Sequence, residues 1–270
     1  QSTLKFLKET QDELIRKEKL ASIGQLTKGI VDRLINPMNY INNFSEITKE
    51  LSKEIGEIIE DDKNIKSKTV EEISEVLGMM NSNLDKINNH GVSATRIVKG
   101  MEKLLKEKSS EFKDVDLSEL IDNSINKAIT EFKSENKEFE TKIIKNIETG
   151  FDTIKVIVSE INDAFVYLIN NSCYAIHQKM IKNKDFEGNI EVSAYHENGF
   201  QVIKIKDNGI GIIENELKHI FEPFFTTKPT AKGTGLGLYM VQDIIKIHKG
   251  EIKVSSKNNE FTEIVITLPK

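Results

Sequence analysis

The sequence predicts two domains of different class: an α-helical hairpin that pairs into a four-helix bundle, then an α/β sandwich with one mixed sheet. Three observations predict it. Apolar residues recur at alternating steps of four and three along two stretches before residue 106, the pattern of helices that pack side by side. From residue 117 onward, helical and strand patterns take turns, as they do where helices cover one face of a sheet. Late in the chain five glycines, Gly209, Gly211, Gly233, Gly235 and Gly237, fall between a strand-like run and a helical one.

Residues 1–20 are polar with sparse leucines, Leu4, Leu7 and Leu14, and read as a coiled-coil lead-in helix. A tighter seam begins at Ile23 and runs through Thr27, Ile30, Leu34, Pro37, Ile41, Phe44, Thr48, Leu51 and Ile55 to Ile58. The phase of Leu7 and Leu14 does not carry into it. Residues 15–22 therefore hold a register break, either local unwinding or a joint through which a signal enters. Pro37 is expected to kink the helix. Glu60–Lys68 reads as a loop. A second seam follows: Ile73, Leu77, Met80, Leu84, Ile87, Gly91, Ala94, Val98, Met101 and Leu105. Two seamed helices joined by a short loop form an antiparallel hairpin. One hairpin leaves its seams half exposed, so a homodimer is expected over residues 21–108.

Residues 106–116 are charged and poor in apolar side chains, which places a domain boundary there and the second domain at 113–270. Asp116 reads as the cap of a helix carrying Leu120, Ile121, Ile125 and Ala128 on one face. Phe139–Ile147 reads as a strand and Val156–Lys182 as a long helix, broken near its start. Asn189–Tyr195 and Phe200–Lys206 form a hairpin across Asn198-Gly199, a strong two-residue turn signal. Glu251–Ser255 and Glu263–Leu268 close the sheet.

Between these lies the stretch that carries chemistry. It reads Asp207-Asn-Gly-Ile-Gly-Ile212, Ile220-Phe-Glu-Pro-Phe-Phe-Thr-Thr-Lys228 and Lys232-Gly-Thr-Gly-Leu-Gly-Leu-Tyr-Met-Val241. Glycines there let the backbone approach a ligand and take positive φ. A glycine-rich turn opening a helix offers free N–H groups to an anion, usually phosphate. Asp207, at the strand end, can accept hydrogen bonds from a buried polar ligand. The stretch reads as a nucleotide pocket. Its glycine spacing fits neither a dinucleotide fingerprint nor a P-loop.

Composition bounds the alternatives. The chain has 270 residues, 30% charged and 38% hydrophobic, with a net charge of −5. No block is strongly basic, so nucleic-acid binding lacks its electrostatic footprint. One cysteine, Cys173, excludes an internal disulfide and fits a reducing compartment. The longest apolar runs are far short of the roughly 20 residues that span a bilayer.

The three segments resemble, in order, the first glycine box, the phenylalanine box and the second glycine box of sensor histidine kinases, within the wider group of ATPases that holds HSP90, MutL and gyrase B. The resemblance covers about residues 15–269. It implies the cytoplasmic catalytic core of a two-component sensor kinase that binds ATP and Mg²⁺. In that family the γ-phosphoryl passes to a histidine and then to an aspartate on a response-regulator receiver domain, separate or fused. A membrane sensor is expected upstream. The family's asparagine box, NxxxNAxxA, matches Tyr167-Leu-Ile-Asn-Asn171-Ser-Cys-Tyr-Ala175. It puts Asn171 on Mg²⁺ and the phosphates, with Tyr167 in place of the first asparagine. Asp207 is implied to accept from the adenine amino group, and Gly209 and Gly211 to pass beneath the base. Gly233, Thr234, Gly235, Leu236 and Gly237 are implied to hold the phosphates, with Lys228, Thr230 and Lys232 in the lid between. Phe221, Phe224 and Phe225 read as a core aromatic cluster.

One departure concerns the chemistry itself. The family's histidine box reads roughly His-Glu-x-x-Asn-Pro; here it is Asp32-Arg33-Leu34-Ile35-Asn36-Pro37. Asp32 stands at the phosphoacceptor position and Arg33 at the base position. Asp32 is either a nucleophile, since carboxylates form acyl phosphates, or a fixed negative charge where a phosphohistidine would stand. The first case is an active kinase and the second a nucleotide-gated pseudokinase. His90 reads as structural, and His177, His196, His219 and His248 lack metal-ligand spacing.

Overall fold

A computed structural model of the protein describes residues 31, 34–58, 67–105, 111–148, 153–228 and 233–270. Residues 1–30, 32–33, 59–66, 106–110, 149–152 and 229–232 lie outside the described residues, as do the side chains of residues 67–69 and 101–105; the expected lead-in helix, most of the expected loop, Asp32, Arg33, Thr230, Lys232, Met101 and Leu105 fall there. The chain divides into two compact units, Gln1–Leu105 with Thr226–Thr234, and Lys106–Phe225 with Gly235–Lys270.

The first unit contains two helices, α1 over 34–58 and α2 over Ser67–Leu105. On α1, Leu34, Pro37, Ile41, Phe44, Thr48, Leu51, Ile55 and Ile58 are buried or half-buried, and the described positions between them are exposed. That is the seam read from the sequence, and the helix runs on through Pro37. His90 of α2 stacks on Tyr40 of α1, ring centroids 4.5 Å apart, and lies 6.3 Å from Phe44. The Lys86 ammonium sits 4.8 Å over the Phe44 ring. These contacts join the helices as an antiparallel hairpin.

The seam of α2 differs from the expected one. Ile73, Met80, Ile87 and Ala94 are half-buried as expected, but Val76, Asn83, Ser93 and Ile97 are buried beside them. Leu77, Leu84 and Val98 are exposed, at 46%, 50% and 43%. A heptad pattern marks two neighbouring stripes on a helix, and one partner helix covers only one of them. The polar Asn83 and Ser93 on the covered stripe cost some stability and favour one register.

In the second unit, strands β2 (Lys142–Ile147), β4 (Asn189–Glu197), β5 (Phe200–Asp207), β7 (Phe261–Pro269) and β6 (Glu251–Lys257) form a mixed sheet in that spatial order. Only the β2–β4 pair is parallel. The β4–β5 turn is Asn198-Gly199, with φ of 53° and 83°, the left-handed pair that a tight hairpin requires. A separate two-stranded ribbon pairs β1 (Lys113–Asp116) with β3 (Thr153–Val156).

Three helices pack with the sheet: α3 (Leu117–Glu135), α4 (Val158–Lys182) and α6 (Gly237–Ile247); a single turn, α5 (Glu214–Leu217), precedes α6. Asp116 caps α3, accepting from the Ser118 and Glu119 N–H groups at 2.8 and 3.2 Å. Leu120, Ile121, Ile125 and Ala128 are buried as read. Helix α4 lacks a side-chain cap. The Ile157 N–H donates instead to Nε2 of His248, whose Nδ1 donates to the Ile244 carbonyl, so one imidazole ties the end of α6 to the start of α4. The core lies between helices and sheet, with Phe165, Leu168, Ile169, Ile190, Ile203, Ile245 and Ile266 each at 1% exposure or less.

Two strand expectations are corrected. Val156 belongs to β3, not to the long helix, which starts at Val158. Phe139 precedes its strand; it is buried edge-on against Phe132 at 4.7 Å, and β2 starts at Lys142.

Candidate nucleotide site

Strand β5 delivers Asp207 to the edge of the core, where it is 3% exposed. Its Oδ1 accepts from the Gly209 N–H at 2.9 Å and its Oδ2 from the Ser172 hydroxyl of α4 at 3.0 Å. Burial pushes its carboxyl up to about 6, against the pull of the Gly209 and Ser172 hydrogen bonds and the Lys179 charge. A carboxylate held this way, with lone pairs left over, can accept from a donor that enters dry.

The loop after Asp207 is fastened on several sides. Gly209 packs on α4, where a Cβ would stand 2.6 Å from the backbone of Ala175. Gly211 has φ +64°, and a Cβ there would strike the Lys257 carbonyl. Asn208 accepts from the Asn189 N–H at 2.8 Å and donates to the Glu187 carbonyl at 2.9 Å. The Ile210 N–H donates to the Ala175 carbonyl, and the Ile210 carbonyl accepts from the Asn259 N–H. The Ile212 N–H donates to Ser256 Oγ at 2.8 Å. The Lys179 ammonium donates to the carbonyls of Asn208, Gly209 and Asn259.

The second glycine box opens α6. Gly235 has φ +68°, and a Cβ there would collide with the Phe224 backbone. Phe224 itself has φ 69°, is buried, and donates its N–H to the Gly235 carbonyl at 2.8 Å. A bulky residue in that region is strained; Phe224 thus braces the glycine turn, and of the expected core aromatic cluster it alone is buried, outside the main core. Phe221 and Phe225 are half-buried. Buried Leu236 is the N-cap of α6, and its own side chain makes no cap hydrogen bond.

Asn171 and Tyr167 are one turn apart and share a side of α4. The Tyr167 ring lies against Gly237, 3.4 Å from where a Cβ would be. The asparagine box is thereby brought to the start of α6, and Tyr167 packs where the first asparagine would be. Lys228, Gly233 and Thr234 fall in the separate segment Thr226–Thr234. There the Lys228 N–H donates to Thr226 Oγ1 at 3.2 Å, and Gly233 packs against both residues. Lys232 and the pair Asp32–Arg33 lie outside the described residues.

Ser172 and Lys179 are the residues the sequence did not single out. Ser172 was legible as a departure, a hydroxyl where the asparagine box has alanine. Lys179 carried no signal, because its partners are backbone carbonyls.

Residues 168–270 match the family described as histidine kinase-, DNA gyrase B-, and HSP90-like ATPase. The fold and site thus define an ATPase domain of that class. Over 264 residues the chain is 30% identical to the sensor histidine kinase ZraS of Salmonella typhimurium strain LT2, covering 97% of this chain and 49% of that one. It is 26% identical over 270 residues to the signal transduction histidine-protein kinase AtoS of Escherichia coli K12, covering 99% of this chain and 38% of AtoS. Residues 168–270 belong to that ATPase family, and the chain along its whole length is similar to sensor histidine kinases, of which it spans half or less. The full-length structure of ShkA in complex with AMPPNP shares the fold, with a TM-score of 0.53 at 16% identity over 86% of this chain and 46% of that one. Among the described residues no helix is long and apolar enough to cross a membrane.

Proposed function

We propose that the chain is the cytoplasmic catalytic core of a longer, membrane-anchored sensor, and that it binds Mg-ATP in its second domain, residues 113–270. The observation that carries the reading is Asp207: a carboxylate at 3% exposure, gripped by Ser172 and Gly209 at the end of a glycine-walled loop. Asp207 accepts from the adenine amino group, while Gly209 and Gly211 leave room for the base. The N–H groups of Gly235, Leu236 and Gly237 take up phosphate charge at the start of α6. By sequence alone, Gly233 and Thr234 match the start of the family's second glycine box, and Lys228 and Lys232 match its lid. The Asn171 amide suits Mg²⁺, a hard cation that keeps several waters and is shared with phosphate oxygens. Tyr167 offers no second amide, so phosphate oxygens and waters would supply the ligands that the protein does not. When bound, the ion neutralises charge on the transferring phosphoryl group.

The hairpin serves dimerisation. The exposed stripe of Leu77, Leu84 and Val98 supports this, because a second hairpin would cover it. The downstream partner is a receiver domain. Isothermal titration tests the pocket: Asp207→Asn replaces a charged acceptor, costing about 1.5–3 kcal/mol, or roughly tenfold or more in affinity for ATP. Unchanged ATP binding would remove Asp207 from the site.

A second reading rests on Asp32 and Arg33. Phosphoryl transfer asks the protein mainly for positioning and charge, so the pocket survives where the acceptor is replaced. Arg33 stays protonated and is no general base. On this reading the protein binds ATP, forms no stable phosphohistidine and signals by conformation. Label from γ-labelled ATP decides between them: acid-labile, alkali-stable label on the wild type supports transfer to a histidine, alkali-labile label supports an acyl phosphate on Asp32, and no label at all in a protein that binds ATP supports the second reading.

A further inference from the structure

The Lys179 side chain leaves α4 and ends among three backbone carbonyls: Asn208 at 2.7 Å, Gly209 at 3.1 Å and Asn259 at 2.8 Å. An ammonium has three protons, and each has a partner here. The ammonium also lies over the Phe186 ring, 4.6 Å from its centroid, which limits where the amine can go. Two of the carbonyls belong to the loop after Asp207 and the third to the β6–β7 turn.

The Asn208 carbonyl and the Gly209 N–H are two ends of one peptide unit, which is planar. Lys179 holds the oxygen end, and Asp207 Oδ1 holds the N–H end at 2.9 Å. The next unit is held likewise. Its Gly209 carbonyl is on Lys179 and its Ile210 N–H on the Ala175 carbonyl. Glycine at 209 would otherwise let either peptide rotate cheaply. A cation on the oxygen also polarises the peptide and strengthens its N–H as a donor to Asp207, and the Lys179 charge favours the ionised carboxylate.

We propose that Lys179 is a positioning residue for base recognition: it fixes the peptide that orients Asp207, and so sets a preference for adenine over guanine. The inference rests on Asp207 reading the base. Adenine presents an amino donor to a fixed carboxylate, whereas guanine presents a carbonyl that the carboxylate repels. With the peptide free to turn, Asp207 can rotate or take up a proton and donate to that carbonyl, and the preference fades.

The test is the ratio of ADP to GDP affinity, measured by titration calorimetry with Mg²⁺ on the 270-residue chain. The wild type is expected to prefer ADP at least about tenfold, a difference of roughly 1.4 kcal/mol. Lys179→Met keeps an unbranched apolar stem and removes the donors; its ratio should fall at least about fivefold, toward unity. Equal loss of both affinities with the ratio kept would mean that Lys179 only braces the fold, and would overturn the proposal, as would wild-type behaviour throughout. Lys179→Arg keeps the charge, but its planar fork cannot meet three carbonyls arranged for an ammonium. Its ratio should be intermediate and carries the test if the methionine variant does not fold; an unchanged ratio there counts against the proposal. A wild type that binds neither nucleotide, or both equally, would fail differently, by removing Asp207 from base reading.

Discussion

The Ser172 hydroxyl donates to Asp207 Oδ2 at 3.0 Å, joining the middle of α4 to the end of β5 inside the core. It is one of two hydrogen bonds that favour the ionised carboxylate against burial. Ser172→Ala should therefore raise the Asp207 pKa further and weaken ATP binding by about 1–2 kcal/mol. Calorimetry at pH 6 and pH 8 would detect this as a larger loss at the lower pH, and equal losses at both would count against it.

Asp207 also sets a pH dependence of stability. Its folded pKa, about 6, lies above the ordinary 3.8. The folded state binds the proton more tightly, so its contribution is fully present below pH 3.8 and is lost as pH rises through 6. Asp207→Asn removes that dependence. The nucleotide-free variant should be more stable than wild type at pH 7.5, by up to about 2–3 kcal/mol, while losing affinity for ATP. Urea unfolding at pH 4.5 and pH 7.5 would show the gain shrinking at the lower pH; a variant less stable at both would contradict it.

His248 should be structural in a measurable way. His248→Leu leaves the Ile157 N–H and the Ile244 carbonyl without their imidazole partner in a buried place. The expected cost is about 1–3 kcal/mol, read as a lower urea midpoint at unchanged slope.

Two glycines with positive φ should respond differently to alanine. Gly199 has φ +83° in open space, so Gly199→Ala should cost about 1 kcal/mol from backbone alone. Gly211 has φ +64° and faces the Lys257 carbonyl, so the same change must also shift the β6–β7 turn. Its loss should exceed that of Gly199→Ala by about 1 kcal/mol or more. Thermal melts of the two variants give the comparison directly.

The two stripes of α2 should separate on substitution. Leu84→Asp falls on the exposed stripe and should leave helix content near wild type while abolishing dimers in light scattering. Val76→Asp falls on the stripe against α1, at 6% exposure, and should unfold the hairpin. Circular dichroism of both would reveal whether the stripes do different things.

Much of this was legible before the fold. Asp207, its two glycines, the Asn198-Gly199 turn and the α1 seam follow from local pattern, because turn chemistry and periodicity are local. What escaped was non-local. The ribbon of β1 and β3 has four residues a side, with Val115, Ile154 and Val156 as its apolar content, and its strands pair across the whole of α3 and β2. The second seam could not show which of two adjacent stripes one partner would cover. Lys179 meets carbonyls 29, 30 and 80 residues away, none of which has a side chain to announce it.

Ser172, Ala175 and Lys179 are spaced by three and four along α4, so a single helical stripe touches the carboxylate, the Ile210 peptide and the clamp on the Asn208 and Gly209 carbonyls. The helix acts as a ruler whose graduations are angular. Inserting one residue between Ser172 and Lys179 would turn everything beyond it by about 100°, swinging the ammonium off its carbonyls while Ser172 stayed in place. Length changes should thus be far harder to accommodate in this half of α4 than in the β4–β5 hairpin tip, and the distance in residues from serine to lysine is as much a part of the site as either side chain.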